Sequence, residues 1–151
     1  MVSVAPQYKK PESVLVVIFS RFDKKVLMLQ RKDDSTFWQS VTGSLEEGEL
    51  PLETAIREVY EETGILIDGQ KISLIDCKHS VVFELFENMK KRYAPGVTHN
   101  LEHWFLLPLD KVPEIKISEH LAFCWLDLEE AILKTKSPNN AEAINIFVRN
   151  F

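Results

Sequence analysis

Three carboxylates crowd one short segment of this chain. Residues 43–65 read GSLEEGELPLETAIREVYEETGI, and Glu58, Glu61 and Glu62 fall within it. On a helix, residues three and four apart are neighbours, so Glu58 would meet both of the others and the three charges would repel. A hard divalent cation offsets this repulsion, since Mg²⁺ and Mn²⁺ bind carboxylate oxygens together with water and substrate phosphates. The segment therefore indicates metal-assisted phosphate chemistry.

The same segment carries the signals that begin and end a helix. Pro51 suits the first helical position, where a missing N–H costs nothing, and Gly64 suits the left-handed residue that ends a helix. We therefore predict a helix over residues 51–63. Four apolar residues follow the spacing of a buried stripe, namely Leu52, Ala55, Ile56 and Val59. The glutamates should then lie mainly on the flank and the far side of the helix, free to bind.

The spacing of the fixed residues makes this segment specific. An acidic cluster on a helix is usually a solvated face, and Arg57 could be an ordinary surface partner of Glu53 or Glu61. The whole pattern, however, combines seven fixed residues: Gly43, Glu49, Arg57, Glu58, Glu61, Glu62 and Gly64. With average usages of about 6–7% for each residue type, a chance match at one start position is on the order of 10⁻⁸. The solvated-face interpretation is therefore disfavoured.

Residues 43–65 resemble the signature of the Nudix hydrolases at every specified position. The resemblance implies an α+β chain with the Nudix fold, an α/β/α sandwich around a mixed β-sheet. It also implies a metal-dependent pyrophosphohydrolase that uses Mg²⁺, or alternatively Mn²⁺. By the same resemblance Glu58 and Glu62 are the first-choice metal ligands, and Glu61 is a further candidate. Gly43 and Gly48 would let the loop before the helix bend tightly.

Composition fits one compact domain over residues 1–151. The hydrophobic content of 45% and the charged content of 27% are ordinary for a globular protein. A formal net charge of −5 argues against general binding to nucleic acid. Two cysteines without a C-x-x-C pair, no signal-peptide pattern and no apolar run of membrane-spanning length predict a cytoplasmic enzyme without a membrane segment.

Short apolar runs flank the acidic helix and read as strands. Residues 14–19 and 26–29 predict a hairpin of two buried strands before the helix. Further strands are predicted at residues 72–77, 81–86, 103–109 and 121–126, and closing helices at residues 129–134 and 139–148. Strands on both sides of a central helix, with helices at the end, fit a mixed sheet covered on both faces.

Basic and acidic residues outside the helix could complete a phosphate site. Lys9, Lys10, Arg31 and the run from Lys90 to Arg92 supply cations, of which Arg31 is the strongest candidate because it ends a buried strand just before the acidic segment. Glu119 precedes the strand that contains Trp125, and many Nudix enzymes take a further ligand or a general base from this downstream loop. A lone loop glutamate is otherwise usually a surface residue.

A flat ring could bind beside an aromatic strand. Phe83 or Phe86 could stack on the ring, and Glu84 between them could accept hydrogen bonds from ring N–H groups. The alternative is that the phenylalanines belong to the core. The four histidines show no metal-ligand spacing, and the glycines form neither a G-x-G-x-x-G nor a G-K-[ST] loop.

Beyond the signature, most of the chain resembles a narrower group, the bacterial dihydroneopterin triphosphate diphosphatases, which are also described as dATP pyrophosphohydrolases. This similarity is carried by residues 13–18, 26–31, 37–43, 92–98 and 118–122. It implies metal ligands at Glu58, Glu62 and Glu119. It also implies substrate contacts at Lys9, Arg31, Thr42, Phe83, Glu84, Leu85, Phe86 and Ser137.

The implied reaction is attack of water on phosphorus in a small-molecule triphosphate, giving a pterin or nucleoside monophosphate and pyrophosphate. Glu58, Glu61 and Glu119 are alternative general bases. A hydrolase of ADP-ribose or of a dinucleoside polyphosphate is the main rival, although the proline common in ADP-ribose enzymes is missing near Val81. A non-catalytic Nudix domain would usually lack signature carboxylates, which this chain keeps.

Overall fold

A computed structural model describes residues 7–151, so the first six residues of the predicted single domain lie outside the described part of the chain. The strands are β1 Glu12–Ser20, β2 Val26–Arg31, β3 Trp38–Gln39, β4 Val41–Ser44, β5 Ile75–Glu84, β6 His99–Leu109 and β7 His120–Leu126. The helices are α1 Pro51–Thr63, α2 Leu128–Lys134 and α3 Pro138–Ala143. A 3₁₀ helix spans Glu87–Arg92, and a π-helical turn, Ile144–Val148, extends α3.

One mixed sheet joins all the strands found within residues 7–151. β1 lies at its centre, parallel to β6 and antiparallel to β4. On one side, β5 runs antiparallel to β6; on the other, β2 pairs antiparallel with both β3 and β7. Because β4 and β2 share one side of β1, the sheet opens between them. β4, which leads into α1, therefore lies next to the central strand β1.

Helices cover both faces of this sheet. On one face, Val14, Val16 and Ile18 of β1 pack with Ala55 and Val59 of α1. The other face is covered by α2, α3 and the π-helical turn, whose buried side chains are Ala131, Ala143, Ile144 and Val148. Since alternate residues of a strand point to opposite faces, the continuous apolar run of β1 supplies both cores. The predicted α/β/α sandwich is confirmed.

α1 begins and ends where the sequence predicts. Gly64 follows it with φ of 78°, the left-handed conformation that favours glycine. Leu50 offers no capping side chain, and the Glu53 carboxylate instead accepts a hydrogen bond from the Leu50 backbone N–H at 2.9 Å. The expected apolar stripe is wrong at Leu52, which is 48% exposed. Glu62 takes a buried position instead, with 2% exposure.

The two strands predicted over residues 72–77 and 81–86 form one bulged strand, β5. Its register with β6 shifts between Asp76 and Ser80, where Lys78 has φ of 52°. A bulge bends a strand and increases its twist, so β5 changes direction here without leaving the sheet. Phe86 lies just beyond the strand. Among residues 7–151, the helices are too short and too polar to cross a membrane.

Candidate active site

A cavity of about 390 Å³ opens over β1, β4, β5 and β6. Its wall contains nine of the residues that the sequence predicts for metal or substrate binding. They are Lys9, Arg31, Thr42, Glu62, Phe83, Leu85, Phe86, Glu119 and Ser137. Glu58, Glu61 and Glu84 are not part of the wall. The structure therefore gathers residues from seven separate segments into one concave site, as a small-molecule site requires.

Glu62 brings a carboxyl group from α1 to the buried end of the cavity. Burial raises its pKa well above the ordinary value, and the neighbouring carboxylates of Glu58 and Glu119 act in the same direction. Its Oε2 atom has no hydrogen-bond partner among the described residues. Its Oε1 atom lies 3.6 Å from Nε2 of His120, whose own pKa is lowered by burial. Glu62 thus carries a buried carboxyl oxygen that no donor among the described residues satisfies, and such an oxygen suits a bound cation.

Glu58 packs directly behind Gly43 of β4. A β-carbon at Gly43 would overlap the carboxyl group of Glu58, so only glycine leaves room for this side chain. Arg57 holds Glu58 from the other side, with Nη1 donating to Oε1 at 2.8 Å. The pKa of Glu58 is raised, mainly by burial, and hydrogen bonds with Glu62 and Arg57 oppose this rise. Glu58 therefore stands beside Glu62, next to the cavity wall.

Arg57 organises the acidic face of α1. Its guanidinium donates to both oxygens of Glu49, at 2.7 and 2.8 Å, and its Nη1 lies 3.2 Å from Oε2 of Glu61. The predicted pair with Glu61 is confirmed, but Glu53 caps the helix and Glu49 takes its place. The pKa of Glu49 is lowered to about 2, mainly by these hydrogen bonds from Arg57. The arginine thereby orients three carboxylates.

The segment before β7 carries Glu119 to the same end of the cavity. The backbone N–H of Lys116 donates to the Thr63 carbonyl at 2.8 Å, and the Ser118 hydroxyl donates to the Glu61 carbonyl at 3.2 Å. Both carbonyls belong to the last turn of α1, where helix carbonyls lack partners within the helix. Anchored in this way, Glu119 lies close enough to raise the pKa of Glu62.

The carboxylates fit a hard divalent cation. Within residues 7–151, no three acidic, histidine or cysteine side chains already converge as a closed metal cluster. Two observations still favour a cation here: the unpaired Oε2 of buried Glu62, and the gap at Gly43 that admits Glu58. Buried carboxylates are costly without a positive partner, and an oxygen-only donor set suits Mg²⁺ or Mn²⁺.

Basic groups also line the cavity wall, namely Lys9, Arg31 and Arg92. Arg31 donates through Nε to Asp33 at 2.7 Å and stacks on Phe37, with its guanidinium carbon 5.2 Å from the ring centre. Arg92 lies 3.4 Å from the same aspartate. The pKa of Lys9 is lowered by desolvation and by Arg92. This concentration of positive charge suits the oxygens of a polyphosphate.

Two further predicted contacts lie at well-fixed backbone positions. Thr42 on β4 accepts a hydrogen bond from the Gln39 amide at 3.3 Å. Ser137 caps α3, where its hydroxyl accepts from the Asn140 backbone N–H at 3.2 Å. Asn140 in turn bonds Ser40 through both amide atoms, which ties α3 to the junction between β3 and β4.

The aromatic end of the cavity contains Phe83 from the end of β5 and Phe86, which lies two residues beyond the strand. Glu84 does not reach the cavity, because it alternates with Phe83 on the strand and its side chain is exposed. The carboxylate found here is Glu102 of β6, joined by Asn100. Neither residue was predicted from the sequence. The sequence offers one signal for them: Asn100 and Glu102 are polar residues within HNLEHWFLLPL, a strand whose residues are otherwise mostly buried.

The chain belongs to the Nudix family: the family profile of the NUDIX domain matches residues 9–147. Nudix hydrolases generally require a divalent metal, which agrees with the carboxylates described above.

Among its relatives is the dihydroneopterin triphosphate diphosphatase of Escherichia coli strain K12, which is 52% identical over 143 residues and 95% of each chain. The enzyme of the same name from Haemophilus influenzae is 49% identical over 144 residues, or 95% of this chain and 91% of that one. The solved structure of the E. coli dihydroneopterin triphosphate pyrophosphohydrolase superposes with a TM-score of 0.91 over 95% of this chain and 99% of that chain, at 52% identity.

Proposed function

We propose that this protein hydrolyses dihydroneopterin triphosphate to dihydroneopterin monophosphate and pyrophosphate with Mg²⁺. One observation carries the proposal: a single cavity is lined by the buried carboxyl group of Glu62, by basic side chains and by aromatic side chains, which suit a metal, a polyphosphate and a ring. The relatives at 49–52% identity bear this activity in their names. dATP and other nucleoside triphosphates are expected as further substrates, because they carry the same triphosphate and a similar flat ring.

In the proposed mechanism, Glu58 and Glu62 of α1 would hold Mg²⁺, and Glu119 would complete the ligand set. An ion bound there would supply a lowered pKa for bound water and positive charge for the polyphosphate. Arg57 keeps Glu58 in place, and Lys9 and Arg31 hold the phosphate oxygens. Of the three candidate bases, Glu119 is the one that the structure places in the cavity wall. We therefore assign it the proton of the attacking water.

The competing substrates test the proposal directly. Purified protein with Mg²⁺ should be assayed against dihydroneopterin triphosphate, dATP, 8-oxo-dGTP, ADP-ribose and a dinucleoside polyphosphate. The highest kcat/KM is expected for dihydroneopterin triphosphate, with pyrophosphate as the first inorganic product. Release of orthophosphate first, or a preference for ADP-ribose, would contradict the proposal. A Glu62→Gln variant measured beside it should lose most of kcat, and turnover near that of the unaltered protein would reject the metal assignment.

A further inference from the structure

Two polar residues at the aromatic end have no role in the proposed hydrolysis, yet both are deeply buried in the cavity wall. Glu102 is 7% exposed and Asn100 is 3% exposed. They lie two residues apart on β6, so both side chains leave the same face of the sheet. Burying a carboxyl group is costly, and the pKa of Glu102 is raised to about 7, mainly by burial. Such groups in a binding cavity call for a polar ligand.

The neighbours of Glu102 fix its position without covering it. The indole N–H of Trp104 donates to its Oε1 at 3.0 Å. The side chain of Asn139, near the start of α3, opposes the raised pKa of Glu102. Glu102 itself contributes to the cavity wall, and its carboxyl group keeps acceptor capacity for a bound molecule.

Asn100 supplies a second, independent sign of a ligand. Its Nδ2 donates to the Ser13 hydroxyl at 2.7 Å, but its Oδ1 has no partner within the described residues. Buried polar atoms are nearly always hydrogen-bonded in native proteins. An acceptor left over in the wall of a binding cavity therefore indicates a donor on the bound molecule.

The sheet register places an aromatic ring beside this pair. Phe83 of β5 lies opposite Asn100, and Val81 lies opposite Glu102. Directly opposed residues of antiparallel strands share one face of the sheet. A flat ring that stacks on Phe83 would consequently turn its edge toward the acceptors of β6.

We propose that Glu102 and Asn100 are specificity-determining residues that read the hydrogen-bond donors on the edge of a 2-amino-4-oxo ring. Dihydropterin and guanine both present such an edge, with a ring N–H and an amino group side by side, and one carboxylate can accept from both. Adenine presents a ring nitrogen acceptor beside its amino group. This inference rests on the proposed function for its natural substrate, although the recognition of the ring edge can be tested with purine nucleotides alone.

The test is Glu102→Gln, assayed with Mg²⁺ on dihydroneopterin triphosphate, dGTP and dATP. Glutamine keeps the shape and the acceptor for Trp104, but it offers an amide N–H to a ring N–H. We expect kcat/KM to fall about tenfold to a hundredfold for dihydroneopterin triphosphate and dGTP, the cost of losing charged hydrogen bonds. For dATP we expect little change, because an amide can donate to the adenine ring nitrogen and accept from its amino group.

The ratio of kcat/KM for dGTP to that for dATP is the decisive readout, because both substrates share sugar and triphosphate. Glu142→Gln, which changes an exposed glutamate of α3, is the matched control and should leave the ratio as it was. An equal loss on both nucleotides, or an unchanged ratio, would overturn the inference.

Failure of the unaltered protein to hydrolyse dihydroneopterin triphosphate would reject the proposed function alone, since the purine ratio would still report on Glu102. Thermal unfolding identifies a variant that fails to fold, and Glu102→Asp, which keeps the charge, should then retain the original order of dGTP and dATP.

Discussion

The carboxyl group of Glu58 occupies the space that a side chain at Gly43 would fill. The two residues come from different elements, α1 and β4, and their contact places a carboxylate beside the buried end of the cavity. The glycine at this position is required by close approach, since its φ is not in the left-handed region.

Gly43→Ala should therefore displace Glu58 and lower kcat by about a hundredfold, the usual cost of misplacing a catalytic group by about 1 Å. Stability should change little, because the overlapped atoms end a flexible side chain. Gly69→Ala provides the contrast: Gly69 has φ of 76° and open space around it, so alanine there should cost about 1–2 kcal/mol of stability but no activity. Steady-state kinetics and thermal unfolding of both variants would separate the two effects. Normal turnover by Gly43→Ala would show that Glu58 has no role.

Arg57→Lys keeps the charge but loses the planar fork that holds Glu49. The pKa of Glu49 is lowered from 4.5 to about 2 in the folded protein, so this pairing stabilises the fold fully above pH 4.5 and is lost as the pH falls through 2. The unaltered protein should be more stable than the variant at pH 6, and the difference should shrink toward pH 2. Urea unfolding across this range measures it. A difference independent of pH would contradict the assignment.

Glu62→Gln should weaken the stabilisation of the fold by bound metal. In EDTA the variant should unfold at a higher temperature than the unaltered protein, because burial disfavours the ionised carboxylate that glutamine replaces. Excess Mg²⁺ should stabilise the unaltered protein, by about 2.7 kcal/mol at a hundredfold excess over Kd, and the variant much less. Glu47→Gln, an exposed change in the preceding loop, should respond to Mg²⁺ like the unaltered protein. Equal metal responses in Glu62→Gln and Glu47→Gln would exclude Glu62 as a ligand.

Glu102 should make stability fall as the pH rises. Its pKa is raised from 4.5 to about 7 in the folded protein, so the folded state binds the proton more tightly and loses up to about 3 kcal/mol between pH 4.5 and 7. Glu102→Gln should remove this part of the pH dependence. Chemical denaturation at pH 5 and pH 8 tests the difference. Parallel stability profiles for the two proteins would show that Glu102 ionises as it does in the unfolded chain.

Arg31→Ala should raise KM for the triphosphate by about tenfold to a hundredfold, the range expected for losing hydrogen bonds to a charged group. kcat should fall less, because Arg31 is proposed to bind the substrate and not the metal. Arg21→Ala is the control, since Arg21 pairs with Asp110 at 2.7 Å and is not part of the cavity wall. A similar rise in KM for both variants would indicate a general effect of charge.

The sequence predicts most accurately the features that depend on neighbouring residues. Pro51 and Gly64 mark the start and the end of α1. Its acidic signature lies in one continuous segment, so the metal-binding residues can be predicted without knowing any long-range contact. Even there, amphipathic spacing misassigns Leu52, because a buried ligand at Glu62 takes a place that an apolar residue would otherwise fill.

Features that depend on strand pairing could not be predicted in the same way. The choice between Glu84 and Glu102 is made by the register of β5 on β6, which the bulge near Lys78 offsets. Similarly, Glu119 reaches Glu62 because residues 116–118 bond to the end of α1, a contact between segments more than fifty residues apart in sequence.

The separation of the cavity into two ends has an evolutionary consequence. The carboxylates proposed for hydrolysis come from α1 and from the segment before β7, whereas the proposed ring contacts come from the facing ends of β5 and β6. A mutation at Asn100 or Glu102 can therefore alter which ring is accepted while the hydrolytic residues stay as they are. A few changes in β5 and β6 would be enough to shift the substrate preference. The glutamates of α1 could stay under the same selection while this happens.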